Sequence, residues 1–233
     1  MLEVKNLRTN YGSIEVLKDI SFSTEKGAVV SVIGANGAGK STLLRTISGL
    51  IKPSSGEIWF DGKRVDNLSP LQIVGLGISY SPERAPIFPQ MSVMDNILVG
   101  GYVLRQGGEL ARHVEQVFQS FPVLSERRRQ LARTLSGGER QMLSIARVMM
   151  SKPKLIMLDE PSLGLAPLVV QELAEIIAQI ANQGLEVLLV EQNFWLAHQL
   201  SKWLYVMELG EIVLQGSPDE LERSERIQKA YLG

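Results

Sequence analysis

The octet GANGAGKS, Gly34 to Ser41, carries two glycines five positions apart followed by a lysine and a hydroxyl residue, a spacing suited to phosphate. Glycines at 34, 37 and 39 let successive backbone N–H groups turn toward one anion, and a helix starting near Lys40 adds its N-terminal partial positive charge. The expected nucleotide contacts are Gly34, Asn36, Gly37, Ala38, Gly39, Lys40, Ser41 and Thr42. Lys40 is placed for the β- and γ-phosphates, and the Ser41 hydroxyl for Mg2+. A Gly-rich surface turn is the competing reading of the loop alone, and the strand before it and the helix after it weaken that reading.

A second group of polar residues ends the apolar run LIMLD. If that run is a parallel strand adjacent to the one before the phosphate loop, Asp159 points into the same crevice as a second Mg2+ ligand. Glu160 is then placed to orient or deprotonate an attacking water. A third group, LSGGE from Leu135 to Glu139, puts a serine and two glycines at the start of a helix with an apolar stripe of Met142, Ile145, Ala146 and Met149. Ser136, Gly137 and Gly138 thus offer a second anion site. A helix cap explains the serine, but glycines cost helix stability and need another reason.

These residues need a scaffold of strands and helices. Ala28 to Gly34, Lys154 to Glu160 and Leu185 to Asn193 read as short apolar strands, the last ending in Glu191, Gln192 and Asn193. A helix from about Pro167 to Ala181 separates the latter two. GEIWFDGKRV has a hairpin look turning at Asp61 and Gly62, and WLYVME and EIVLQG form an edge hairpin around Gly210. From Ser92 to about Leu135 the pattern is helical, with Leu110, Val114, Val117, Phe118 and Phe121 on one stripe. The expected fold is α/β, with a mostly parallel core sheet, an N-terminal antiparallel β subdomain and a helical insertion at about 92–151 between core segments 1–91 and 152–233.

The 233 residues are 45% hydrophobic and 21% charged, with a net charge of −1 and no cysteine. That composition suits one domain with ample core, excludes a disulfide framework, and gives no basic excess of the kind nucleic-acid partners favour. No apolar run approaches a membrane span and the start lacks a secretory signal, so the chain is expected in the cytosol.

GANGAGKST, LSGGE and LIMLDEP, in this order and spacing, resemble the ATP-binding cassette of ABC transporters over essentially the whole chain. The resemblance implies head-to-tail dimers, in which ATP held by Lys40, Ser41 and Asp159 of one subunit, with Mg2+, is covered by Ser136, Gly137 and Gly138 of the other. It also places Tyr11 for stacking on adenine. Three positions depart from the usual cassette. Gln192 stands where a histidine normally meets the γ-phosphate; its amide can donate a hydrogen bond but carries no proton's charge. Glu83 stands where a glutamine faces Mg2+ and the lytic water, and Ala166 replaces an aspartate that contacts the facing subunit. The histidines present, His113 and His198, read as surface or packing residues.

SPERAPIFPQMSV, LSGGERQMLSIAR, DEPSLGLAP, LLVEQN and the closing AYLG resemble one branch, the second ATPase subunit of branched-chain or neutral amino acid importers, where Glu, Ala and Gln at these places are usual. That implies two membrane permease subunits, a different ATPase as dimer partner, an extracytoplasmic solute-binding protein and a place at the cytoplasmic face of the membrane. A permease helix is expected to dock near Glu83 to Gly101, with a packed loop as the alternative reading of APIFPQM. ERRRQLAR, Glu126 to Arg133, reads as a solvated helix face, with lipid headgroups or a protein contact as alternatives. Rival functions are a non-transport ABC ATPase on ribosome or DNA, an importer ATPase for another small solute such as urea, and a small-metabolite kinase, which gives no account of LSGGE.

Overall fold

Among the residues described by the computed structural model, 1–84, 87–104 and 109–232, ten strands fall into two sheets. Ala85 and Pro86 of the expected docking loop, 105–108 of the expected helical span, and Gly233 of AYLG lie outside the described residues. β1 (Leu2–Tyr11), β2 (Ile14–Ser23), β4 (Ser55–Phe60) and β5 (Lys63–Arg64) make an antiparallel sheet in the order β2-β1-β4-β5. β3 (Val29–Ile33), β6 (Ile78–Ser81), β7 (Leu155–Asp159), β8 (Glu186–Glu191), β9 (Trp203–Glu208) and β10 (Glu211–Gly216) make the core sheet, ordered β10-β9-β3-β8-β7-β6. All its pairings are parallel except the β9–β10 hairpin at the edge.

The α-helices of five or more residues are α1 (Lys40–Ile47), α2 (Pro70–Leu76), α3 (Val93–Gly100), α4 (Leu110–Ser120), α5 (Pro122–Glu126), α6 (Gly137–Met149), α7 (Pro167–Asn182), α8 (Phe194–Leu200) and α9 (Pro218–Glu222). The span 92–151 contains α3 to α6, and its described strand pairing is one bridge, Ser92 to Leu131. Val114, Val117, Phe118 and Phe121 of the predicted stripe are buried, with Leu110 packed at the margin.

The sequence reading places Asp159 on a strand adjacent to β3, and this is corrected: β8 lies between β3 and β7. Pairing order is a non-local property that short apolar runs do not encode. Asp159 still reaches the phosphate loop because α1, which starts where that loop ends, lies across both β7 and β8.

Alternation along the central strands serves two cores. Ile156 and Leu158 of β7, with Val187 and Leu189 of β8, pack among α3 to α7; Leu155, Met157, Leu188 and Val190 pack on the other side against α1 and the antiparallel sheet. Residues 187–190 are fully buried, and each such side chain contributes about 1.5–3 kcal/mol by burial. The two sheets are also tied by polar bonds, among them Leu2 N–H to Glu186 Oε1 at 3.0 Å and Lys18 N–H to the Gly210 carbonyl at 2.8 Å.

Candidate nucleotide site

The loop between β3 and α1 turns through left-handed backbone at Gly37 (φ 83°) and Gly39 (φ 109°), which a side chain would strain. It curls around the Lys40 ammonium, which donates to the carbonyls of Gly34 at 2.8 Å and Ala35 at 3.0 Å. Lys40 also pairs with Glu160 Oε1 at 2.9 Å, and both side chains are buried. A cavity of about 300 Å³ opens beside the loop, lined by Tyr11, Asn36, Gly37, Gly39, Lys40, Ser41, Thr42, Glu83 and Glu160. Nine predicted residues from four separate segments thus share one cavity.

Asp159 stands at the tip of β7, 1% exposed, and both its oxygens are directed: Ser41 Oγ donates to Oδ1 at 2.9 Å and the Tyr80 hydroxyl to Oδ2 at 2.7 Å. Burial pushes the Asp159 carboxyl above its ordinary range, with the charges of Glu160 and Glu83 adding to the effect, while the two hydrogen bonds oppose it. The hydroxyl and carboxylate oxygens of Ser41, Asp159 and Glu83 are the hard donors Mg2+ takes. Glu160 has φ 45°, a left-handed conformation costing about 1–3 kcal/mol in a non-glycine residue, held in part by its N–H bond to the Val190 carbonyl at 2.9 Å.

Other predicted residues lie apart from this cavity. Ser136 caps α6 in a capping box, accepting from Glu139 N–H at 3.2 Å while Glu139 Oε2 accepts from Ser136 N–H at 2.7 Å. Gly138 has a packing reason, since a Cβ there would stand 2.3 Å from Val169 Cγ1. Gly137 has room, its nearest neighbour being Leu165 at 3.8 Å. Ser136 and Gly137 are therefore presented outward on the surface.

The polar end of β8 divides three ways. Glu191 turns inward, 2% exposed, and accepts from the N–H groups of Ser162, Gln192 and Asn193, so it ties the turn after Asp159 to β8. Asn193 caps α8 by accepting from Leu196 N–H. Gln192 is exposed and does not line the cavity. His113 bonds the Met149 carbonyl and Gln116, and His198 stands near Asp219 and Glu222, both in packing positions as expected. In ERRRQLAR, Arg127 pairs with Glu139 at 3.0 Å, and Arg128 pairs with Glu115 and covers the Phe118 ring.

Two residues at the site escape the sequence reading. Tyr80 lies on ISYS, where interleaved serines hide a strand, and Arg45, which interacts electrostatically with the Tyr11 and Tyr80 hydroxyls, follows Ser41 by four positions on α1. That i, i+4 spacing is the signal that could have found Arg45.

The family model for ABC transporters matches residues 17–163. The chain is 42% identical over 233 residues, 100% of both chains, to the high-affinity branched-chain amino acid transport ATP-binding protein BraG of Pseudomonas aeruginosa. It is 31% identical to the lipopolysaccharide export system ATP-binding protein LptB of Haemophilus influenzae, covering 100% of this chain and 97% of the relative. A solved ATP-binding cassette of an ABC transporter, in its ADP conformation, superimposes with a TM-score of 0.90 at 26% identity, covering 100% of this chain and 98% of that one. With the phosphate loop and its acidic partners gathered at one cavity and the family match spanning both, the chain belongs to the ABC transporters as one of their ATP-hydrolysing cassettes.

Proposed function

We propose that this cassette drives an importer of branched-chain or other neutral amino acids, as one half of a head-to-tail pair with a different cassette beneath two permease subunits, served by an extracytoplasmic solute-binding protein. Its place is the cytoplasmic face of the membrane, held there by the permeases. Among the described residues, no helix is long and apolar enough to cross a membrane. The observation that carries the reading is the full-length similarity to the branched-chain amino acid protein, supported by the Glu83, Ala166 and Gln192 combination.

Within the site, Lys40 and the loop N–H groups hold the β- and γ-phosphates, Tyr11 stacks on adenine, and Ser41, Asp159 and Glu83 hold Mg2+. When bound, that ion would neutralise developing phosphate charge. A phosphate seated in the loop takes the Lys40 ammonium away from Glu160, and the freed carboxylate orients or deprotonates the lytic water. Ser136, Gly137 and Gly138 cover the nucleotide of the facing subunit, which accords with the outward presentation of Ser136 and Gly137, while Gly138 is buried against Val169. Gln192 donates to the γ-phosphate, its exposed side chain turning inward as the pair closes. Exposed Leu163, Leu168 and Trp195 flank the Ala166 turn, an apolar face of the kind a partner covers.

A groove of about 470 Å³ lined by Val74, Tyr80, Ile87, Phe88, Val99 and Arg147 is the proposed seat of the permease helix, and α3 to α6 act as the helical subdomain that carries it. The test is uptake of labelled neutral amino acids by a strain lacking the gene. Uptake should be lost and then restored by the parent chain, but not by Glu160→Gln. Intact uptake with lost surface lipopolysaccharide would favour the export role that the second relative's name carries.

A further inference from the structure

The proposed ligand Asp159 has a partner outside the phosphate loop. The Tyr80 hydroxyl, on the neighbouring strand β6, meets Oδ2 at 2.7 Å while Ser41 occupies Oδ1. The Arg45 guanidinium lies near enough to the Tyr80 and Tyr11 hydroxyls to interact electrostatically with both, which favours the phenol as a donor to the carboxylate. The ring is partly buried and lines the groove with Phe88 and Arg147, so packing as well as bonding fixes its approach. Without this donor, a carboxylate crowded by Glu160 and Glu83 keeps one directed oxygen instead of two.

We infer that Tyr80 is a positioning residue of the ATPase centre, which fixes the Asp159 carboxylate for the divalent cation and does not itself touch the nucleotide. The inference rests on the reading of Asp159 as a metal ligand. Outer partners of metal ligands typically matter by about 10- to 100-fold in metal affinity.

The test is Mn2+ titration of the full chain saturated with ADP, followed by the electron paramagnetic resonance of free Mn2+, with ADP affinity in EDTA as the control. In Tyr80→Phe, which keeps the ring, the Mn2+ dissociation constant should rise about 10- to 100-fold while ADP affinity in EDTA stays within about twofold. The metal concentration that half-saturates kcat should rise in parallel, and KM for metal-saturated ATP should stay constant. If Asp159→Asn weakens Mn2+ binding and Tyr80→Phe does not, the role of Tyr80 is overturned and the ligand reading stands. Mn2+ binding unmoved by Asp159→Asn overturns the ligand reading, and Tyr80 with it. An equal loss of ADP affinity in EDTA would mark general distortion and also overturn the inference.

Discussion

Replacing Glu160 by glutamine separates two consequences of the buried Lys40–Glu160 pair. The amide keeps the shape, the left-handed turn and a hydrogen-bond acceptor, and removes only the charge. At the 2.9 Å separation, Coulomb attraction is about 1.4 kcal/mol in a water-like dielectric and about 6 kcal/mol at an effective dielectric of 20. Because Lys40 keeps its carbonyl partners and the glutamine still accepts, we expect about 1–2 kcal/mol of this to reach nucleotide binding. That corresponds to ATP binding about 5- to 30-fold tighter in EDTA, measured by isothermal titration calorimetry. Phosphate release with Mg2+ should fall by about 100- to 10,000-fold, the range of a lost general base. Unchanged or weaker ATP binding would refute the competition between Glu160 and phosphate for Lys40. Turnover reduced by less than about tenfold would refute the base.

Other expectations follow from the same geometry. Lys40→Ala should raise the nucleotide dissociation constant by about 10- to 100-fold in calorimetry, as loss of a charged donor to phosphate implies. Ser136→Arg should cut ATPase activity at least about 100-fold while ATP binding to the isolated chain stays within about twofold, since in the proposed head-to-tail pair the serine covers the other subunit's nucleotide. In thermal melts, Gly138→Ala should destabilise by about 1–3 kcal/mol through its clash with Val169, lowering Tm by about 2–10 °C. Gly137→Ala, with open space, should melt within about 2 °C of the parent, and any loss of ATPase activity there then reports the proposed subunit contact rather than the fold.

The phosphate loop was legible because its chemistry is contiguous: glycines, lysine and hydroxyl act together within eight residues, and a strand and a helix flank them. Asp159 and Glu160 were legible as a polar end to an apolar strand. The position of that strand was not, because the insertion of β8 between β3 and β7 depends on which runs pair across the chain. Glu191 shows a related limit. In a strand covered on both faces, alternation does not say which side a terminal acid takes, and this one turns inward to bind three backbone N–H groups. Gly138 looked like part of an anion site, and its space is required by Val169 on α7, a contact between segments far apart in sequence. Tyr80 left no local trace, since its importance lies in what meets it from β7.

The alternation along β7 gives that strand a mechanical character. Ile156 and Leu158 belong to one core and Leu155 and Met157 to the other, so the strand is a membrane-thin partition with tightly packed side chains pressing from both sides. Close-packed interiors transmit strain instead of absorbing it. Any rearrangement among α3 to α7 therefore bears on the same backbone whose last residue is Asp159. The helical half and the nucleotide half cannot be retuned independently: a volume change at 156 or 158 alters the seat of the acid at 159 as surely as one made on the nucleotide side.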